Sequence, residues 1–179
     1  MLKIATILPY KENYTKSKAG AASLWVHDFL KHSKYKKNNI IFGHTKYKDY
    51  LSENYININV DNLSSKFSSS TIRYCNNLIK KVGKKHFHLY EIHNRPLVFN
   101  YLKNKINSKF ILYFHNDPLS MKGSKTVQER LFIINSVNKI IFISRWVQKR
   151  FFIGLSENLK NKTQVIYHSI KKAKFFKKK

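Results

Sequence analysis

Short apolar, β-branched segments alternate along this chain with longer segments in which apolar residues recur every three or four positions. The short segments are residues 2–8, 39–43, 56–60, 87–92, 109–115, 139–144 and 163–167. The longer segments are residues 24–30, 71–82, 97–106, 126–136 and 145–155. The first kind is typical of buried strands and the second of amphipathic helices. Their alternation predicts a Rossmann-like, doubly wound α/β fold, with a mostly parallel sheet and helices on both faces.

Length and composition fit a single folded domain. The chain has 179 residues, of which 42% are hydrophobic and 15% aromatic, so it can fill a substantial core. No apolar run approaches the roughly 18–20 residues that a membrane-spanning helix needs. Cys75 is the single cysteine, which excludes an internal disulfide and argues against a cysteine-based zinc site. These features predict a cytoplasmic location.

The formal net charge of +26 predicts attraction to polyanions, either nucleic acid or an anionic membrane. Only five of the 35 cationic side chains are arginine, the usual bidentate partner of phosphates and guanine. We therefore expect non-specific attraction rather than sequence-specific reading of nucleic acid. Six lysines fall in residues 171–179, and this tail is expected to be solvated or to lie at an interface.

Polar residues cluster where the predicted strands end. In a doubly wound sheet, ligands bind outside the carboxyl ends of the strands, so these clusters are the candidates for a binding cleft. The candidate residues are Gly20, Ala21, His93, Asn94, Arg95, His115, Asn116, Asp117 and Arg145. Four clusters at four strand ends favour a cleft more strongly than any one cluster alone.

Each cluster also has a structural interpretation. Gly20 and Ala21 could open a helix whose free N–H groups face an anion, or could form a tight loop that turns into a helix. His93 and His115 could bond a sugar hydroxyl or a phosphate, or could be structural residues at strand ends. The two histidines lie on different strands without the i, i+4 spacing of a helical metal motif, so no metal site is expected.

Eight further side chains carry structural expectations. Glu91 lies in a buried strand and should have a partner, and Ser144 should cap the helix that follows it. Cys75, Trp146 and the pair Phe151 and Phe152 are expected in the core. Glu129 and Arg130 could be an ordinary surface pair on a helix, an interpretation that the residues alone leave open.

A series of short motifs runs in fixed order from Lys3 to about Phe176: KIATILPY, AGAASLWV, EIHNRP, FHNDP, ER, IFISRWVQKRF and QVIYHSI. In this order and spacing they resemble the N-terminal half of a family 4 glycosyltransferase, a retaining enzyme of GT-B architecture. The resemblance implies that Gly20 and Ala21 belong to the glycine-containing loop that faces the cleft. It also implies that His115 is the catalytic histidine near the donor sugar, with His93 as the second choice.

The same resemblance assigns the remaining candidates to the cleft. Asn94 and Arg95 would line the acceptor side, and Asn116 and Asp117 would form the cleft floor. Arg145 would face the same cleft from the next strand end. No cofactor is implied beyond the nucleotide-sugar, which is the donor substrate.

The resemblance further implies an acceptor-side half of a two-domain enzyme. Residues 1–170 would form the domain, and residues 171–179 would lie at the junction with a second domain. The family holds its nucleotide-sugar chiefly in that second domain through a Glu-x7-Glu element, which this sequence lacks. We expect a truncated product or one part of a split enzyme, completed by a separate donor-domain chain.

Two functions are therefore expected from different classes. The first is sugar transfer from a nucleotide-sugar to a glycan or lipid-linked acceptor in surface polysaccharide synthesis, such as lipopolysaccharide or capsule. In that case the basic surface would hold the protein at the inner face of an anionic membrane, and nucleic acid would not be a partner. The alternative is a non-catalytic basic module that binds nucleic acid or anionic membranes.

Overall fold

A computed structural model describes residues 2–60, 68–83 and 85–168. Seven strands form one parallel sheet with the order β3-β2-β1-β4-β5-β6-β7. In chain order the elements are β1 (Ile4–Ile7), α1 (Ala21–Lys31), β2 (Asn39–Gly43), β3 (Tyr55–Asn57), α2 (Ser70–Val82), β4 (Leu89–His93), α3 (Pro96–Lys103), β5 (Lys109–Phe114), α4 (Val127–Ser136), β6 (Lys139–Phe142), α5 (Arg145–Phe152) and β7 (Thr163–Val165). The Rossmann-like α/β fold predicted from the sequence is confirmed.

The strand order reverses direction at β1. The chain first builds outward through β2 and β3, and then returns to place β4 on the other side of β1. Ile7 near the end of β1 pairs with Phe42 of β2 on one side and with Ile92 of β4 on the other. Such a reversal leaves a crevice at the carboxyl ends of the central strands, where the loops after β1 and β4 diverge.

Two hydrophobic cores lie on opposite faces of the sheet. Because side chains alternate between faces along a strand, Ile7 and Leu8 point in opposite directions. Ile7 joins the larger core with buried residues of α2, α3, α4 and α5. Leu8 joins a smaller core with Val26 and Leu30 of α1. Helices therefore cover both faces, as predicted, but among the described helices α1 alone packs into the smaller core.

Side-chain caps set where several helices begin. The Ser69 hydroxyl accepts a hydrogen bond from the N–H of Ile72 at the start of α2. The Ser144 hydroxyl does the same for Val147 at the start of α5, as expected from the sequence. Such caps satisfy N–H groups that have no partner within the helix, and each is worth about 1 kcal/mol.

The interpretation of Glu129 and Arg130 as an ordinary surface pair is wrong. Glu129 closes a capping box with Thr126, since each side chain accepts from the other's backbone N–H. Arg130 is buried, with only 2% of its surface exposed.

The Arg130 guanidinium instead ties loop backbone to α4. It donates to the carbonyl oxygens of Ser124 at 3.2 Å, Lys125 at 2.6 Å and Ile153 at 2.6 Å. These neutral acceptors give the buried cation a hydrogen-bonded environment.

The expectation of a buried Trp146 is also wrong, because 58% of its surface is exposed. The helical period explains this result. Val147 and Phe151 are four residues apart and share the buried face of α5, whereas Trp146 and Arg150 share the outer face. The guanidinium carbon of Arg150 lies 5.8 Å from the centre of the Trp146 ring.

Other structural expectations hold. Cys75 and Phe152 are buried, and Glu91 accepts a hydrogen bond from the Thr6 hydroxyl at 2.9 Å.

None of the helices in the described residues is long and apolar enough to cross a membrane. The predicted lysine-rich tail at residues 171–179 lies outside the described residues.

Candidate functional site at the carboxyl edge of the sheet

Three histidines form a hydrogen-bonded chain at the carboxyl edge of the sheet. His93 ends β4, His115 directly follows β5, and His168 lies three residues after β7. His93 Nδ1 is 2.9 Å from His115 Nε2, and His115 Nδ1 is 3.3 Å from His168 Nε2. The parallel strands bring these residues together because their carboxyl ends meet at one edge of the sheet.

The chain of contacts constrains the protonation of His115. Each nitrogen pair needs one N–H donor and one acceptor, and a neutral imidazole has one of each. Neutral His115 therefore donates to one neighbouring histidine and accepts from the other. A protonated His115 would carry two donors, so one neighbour would have to change its tautomer.

Burial favours the neutral form of all three histidines. His93 is 1% exposed, and its burial together with His115 holds its pKa well below the usual value. Burial and the nearby His168 lower the pKa of His115 to about 4. Burial also lowers the pKa of His168, the most exposed of the three. The cluster is therefore uncharged near neutral pH.

An aromatic wall surrounds the histidines. The Trp25 ring of α1 has its centre 5.6 Å from His93, 5.4 Å from Tyr113, 5.4 Å from His115 and 5.7 Å from His168. The Tyr113 ring stacks on His93 at 4.4 Å with an angle of 12° between the planes. These contacts fix the imidazole planes and supply the apolar surroundings that keep the cluster uncharged.

Asn94 shapes the turn that leaves β4. Its φ of 56° lies in the left-handed region, which asparagine tolerates better than most residues. Its backbone N–H donates to the Tyr113 carbonyl at 2.7 Å, and its Oδ1 accepts from the backbone N–H of His115 at 3.3 Å. The residue therefore ties the turn after β4 to the start of the loop after β5.

Arg95 immediately precedes α3 and lines a cavity of about 250 Å³. Its guanidinium lies 5.1 Å from the centre of the Tyr10 ring. Its Nε is buried and has no hydrogen-bond partner among the described residues. The cavity is lined by Tyr10, Thr71, Asn94, Arg95, Pro96, Leu97, Val98, Ser120, Met121 and Lys122.

Asp117 is engaged within the fold. Its Oδ2 accepts from Arg150 Nη2 at 2.9 Å, and its Oδ1 accepts from the backbone N–H of Leu119 at 3.0 Å. The hydrogen bond from Arg150 lowers the pKa of the Asp117 carboxyl. Asp117 therefore connects the loop after β5 to α5. Asn116 and Arg145 are exposed at the same edge of the sheet.

The start of α1 already holds a carboxylate. Glu12 Oε1 accepts from the backbone N–H of Ala22 at 2.9 Å and lies 3.4 Å from the N–H of Ser23. A Cβ at Gly20 would overlap this carboxylate. Gly20 thus allows the close approach of Glu12, while Ala21 is exposed beside it. In this structure the predicted anion position is filled by the chain's own side chain.

The structure brings some predicted site residues together and separates others. His93, Asn94 and His115 contact one another, and Arg95 faces the neighbouring cavity. The residues that sequence reasoning missed are Trp25, Tyr113, His168, Glu12 and Tyr10. His168 could have been found, because it follows the last predicted strand as His93 and His115 follow theirs.

The described residues contain no group of three or more histidine, cysteine, aspartate or glutamate side chains placed to hold a metal ion. In the histidine chain, both nitrogens of His115 already face another imidazole nitrogen. The three imidazoles are thus arranged for hydrogen bonding to one another, with His168 at the exposed end.

Comparisons with known proteins show what the fold resembles. No protein-family model matches the sequence, and no curated protein matches it either. Among solved structures, sucrose-phosphate synthase from Thermosynechococcus elongatus matches twice. The shorter chain has a TM-score of 0.64 and 11% identity, over 92% of this chain and 88% of that one. The longer has a TM-score of 0.66 and 12% identity, over 93% of this chain and 48% of that one.

A third similar structure is UDP-N-acetylglucosamine 2-epimerase from Rickettsia bellii. It has a TM-score of 0.53 and 13% identity, over 92% of this chain and 44% of that one. The chain thus spans about half the length of the longer synthase chain and of the epimerase. At these identities the likeness concerns the fold, and the chain has the Rossmann-like α/β fold found in one half of GT-B glycosyltransferase-type proteins.

Proposed function

We propose that this chain is the acceptor-side domain of a retaining family 4 glycosyltransferase. In this proposal a sugar moves from a nucleotide-sugar to a glycan or lipid-linked acceptor of a surface polysaccharide. The observation that carries the proposal is the uncharged histidine cluster at the crevice where the strand order reverses. The GT-B type of the similar structures supports it at the level of the fold.

His115 is the residue that would contact the reacting sugar. As a neutral imidazole with a pKa lowered to about 4, it can hydrogen-bond a sugar hydroxyl without adding charge to the site. His93 contacts it from the buried side and is itself stacked on Tyr113, and Asn94 holds the start of its loop. His115 Nδ1 contacts the exposed residue His168. A ligand hydroxyl could take the place of the His168 imidazole as the partner of this nitrogen.

Trp25 supplies a second kind of contact. Its ring packs against the histidines at the edge of the cleft and is half-buried. The apolar face of a pyranose suits such a surface, while the hydroxyls at its rim suit the nearby imidazoles. The site thus offers both features that a sugar ring requires.

Transfer also needs stabilisation of the departing nucleotide phosphate. We propose that a second, donor-binding domain supplies it, on a separate chain or on the same polypeptide. The net charge of +26 would favour a cytoplasmic position against the anionic inner face of a membrane, where lipid-linked acceptors lie. The nucleotide-sugar itself would be a substrate, and no further cofactor is proposed.

The chain allows a direct binding test because it contains two tryptophans, Trp25 and Trp146. In the Trp146→Phe variant, fluorescence reports on Trp25 alone. Titration with nucleotide-sugars and with glycan acceptors should quench or shift this emission, and His115→Ala should weaken the response. Addition of a candidate donor domain should then give sugar transfer or donor hydrolysis that depends on His115.

Two results would contradict the proposal. One is a Trp25 emission that no sugar ligand changes, with no transfer or hydrolysis for any donor domain tested. The other is transfer that is unaffected by His115→Ala. A His86→Ala variant is the matched control, because His86 is exposed near the opposite, amino edge of the sheet.

A second candidate function follows from the charge of +26 alone. A non-catalytic basic module would bind duplex DNA or acidic vesicles with a steep dependence on salt, and would bind no glycan. Salt titrations with DNA and with acidic vesicles, beside the Trp25 titration, separate the two functions. Salt-sensitive binding to both polyanions without any sugar response would favour the basic module.

A further inference from the structure

We propose that the cavity beside the start of α3 binds a phosphate group carried by the acceptor. The inference rests on the proposed function in calling the ligand an acceptor. The binding of phosphate itself can be measured without any transfer reaction. Its starting point is Arg95, whose Nε is buried without a hydrogen-bond partner among the described residues. The guanidinium of Arg95, which lines the cavity, is the group that a ligand oxygen would meet there.

The guanidinium is held in place for such a contact. Its carbon lies 5.1 Å from the centre of the Tyr10 ring, in a cation–π arrangement. An arginine that is fixed before binding loses less side-chain entropy when a ligand arrives. The planar donor group is suited to two oxygens of one phosphate.

The charges that line the cavity are all of one sign. Lys122, in the loop after β5, contributes a second cation to the lining. The lining contains no aspartate or glutamate. Asp117, which lies in the same loop as Lys122, is held by Arg150. An anion in the cavity would therefore meet two cations and no lining carboxylate.

Backbone and hydroxyl groups add to the site. Thr71 at the start of α2 also lines the cavity. The eight-residue helix α3 begins here with Pro96, and no side chain caps its first turn. The positive end of its dipole therefore adds to the field from the two cations. This end differs from that of α1, which already holds the Glu12 carboxylate.

The size and place of the cavity suit one part of a larger substrate. A volume of about 250 Å³ is roughly eight times the ~30 Å³ that a water molecule occupies in the liquid, so a phosphate with its bridging oxygen fits. Asn94 lines the cavity and also contacts His115 through its side chain. A phosphate bound here would therefore hold its sugar or lipid within reach of the histidine cluster.

The test uses the full chain and three probes: inorganic phosphate, a hexose phosphate, and vesicles of phosphatidic acid in phosphatidylcholine. Binding is measured by calorimetry for the soluble probes and by sedimentation for vesicles, at a salt concentration high enough to suppress general attraction. Arg95→Gln should weaken binding about tenfold or more, and Lys122→Gln should weaken it less. Arg95→Lys should fall between Arg95→Gln and the unmodified protein.

Lys105→Gln is the matched control, because it removes the same charge from an exposed residue just beyond the other end of α3. Exposed Lys122 keeps the test valid if Arg95→Gln fails to fold. Arg95-dependent binding of the hexose phosphate, or of vesicles alone, would support the site and identify a soluble or a lipid source. Equal losses in Lys105→Gln and Lys122→Gln would overturn it, as would undiminished binding by folded Arg95→Gln.

The result of the phosphate-binding test can be distinguished from the result of the sugar-transfer test. Arg95-dependent phosphate binding without sugar transfer would leave the site standing and count against the proposed function. Transfer to acceptors that carry no phosphate, with no binding of any phosphate probe, would overturn the site and leave the function standing.

Discussion

The protonation state of His115 predicts how the stability of this protein depends on pH. The pKa of His115 is lowered to about 4 in the folded chain, whereas an unfolded histidine titrates near 6.5. As the pH falls below 6.5, the unfolded chain takes up a proton before the folded chain does. The free energy of unfolding must therefore decrease as the pH is lowered from about 6.5 to about 4.

The size of this decrease follows from the two pKa values. Between pH 7.5 and pH 5, a single histidine with these values costs about 2 kcal/mol, and about 3 kcal/mol by pH 4. Burial lowers the pKa of His93 as well, so it acts in the same direction. Because the two imidazoles are hydrogen-bonded, they titrate as a pair, and their effects should not simply add.

Urea denaturation at pH 7.5, 6.5, 5.5 and 5 would measure this dependence above the range in which most carboxylates titrate. We expect the unmodified protein to lose at least about 2 kcal/mol across the series, and His115→Gln to lose distinctly less. His32→Gln is the matched control, because His32 is exposed just after α1. The reasoning would be refuted if His115→Gln and the unmodified protein had parallel profiles, or if stability rose toward pH 5.

Three further predictions concern groups around the site. Gly20→Ala should cost about 1–2 kcal/mol in urea denaturation by displacing the Glu12 carboxylate from α1, and this extra cost should vanish in a Glu12→Ala background. Asp117→Asn should cost at most about 1 kcal/mol at pH 7, because its ion pair with Arg150 is partly exposed. That cost should shrink in acid, since the lowered pKa of Asp117 gives stability that is lost only as the carboxyl protonates. Glu91→Gln should raise the melting temperature at neutral pH, because burial raises the pKa of Glu91 and so disfavours its charged form; a lower melting temperature would contradict this.

Local patterns were sufficient to predict the elements of this fold. In α2, Ile72, Cys75, Leu78 and Val82 follow the helical period, and the helix covers Ser70–Val82. The central strands β1, β2, β4, β5 and β6 are equally local, since each is a short, largely buried apolar run with a neighbouring strand on either side. A parallel sheet then places all their carboxyl ends at one edge, and for this reason His93 and His115 could be assigned to a common site.

The remaining features of the site depend on contacts between distant parts of the chain. Glu12 reaches the start of α1 from ten residues upstream of Ala22, which no helix-start pattern indicates. Trp25 fits the apolar pattern of a helix and gives no separate sign that it faces imidazoles. Arg130 is buried and Trp146 is exposed, the reverse of what their residue types suggest. Burial depends on what packs against each helix and not on residue type alone.

The five arginines show how the charge of this chain is divided between general attraction and specific contacts. Arg73, Arg130 and Arg150 all donate hydrogen bonds within the fold. Arg95 and Arg145 instead lie at the carboxyl edge of the sheet, two residues after β4 and three residues after β6. Lysines provide most of the net charge, and a field of this kind attracts any polyanion without choosing among them. If the carboxyl edge binds an anionic ligand as proposed, these two arginines would provide a means of selecting that anion, which the lysines alone would not supply.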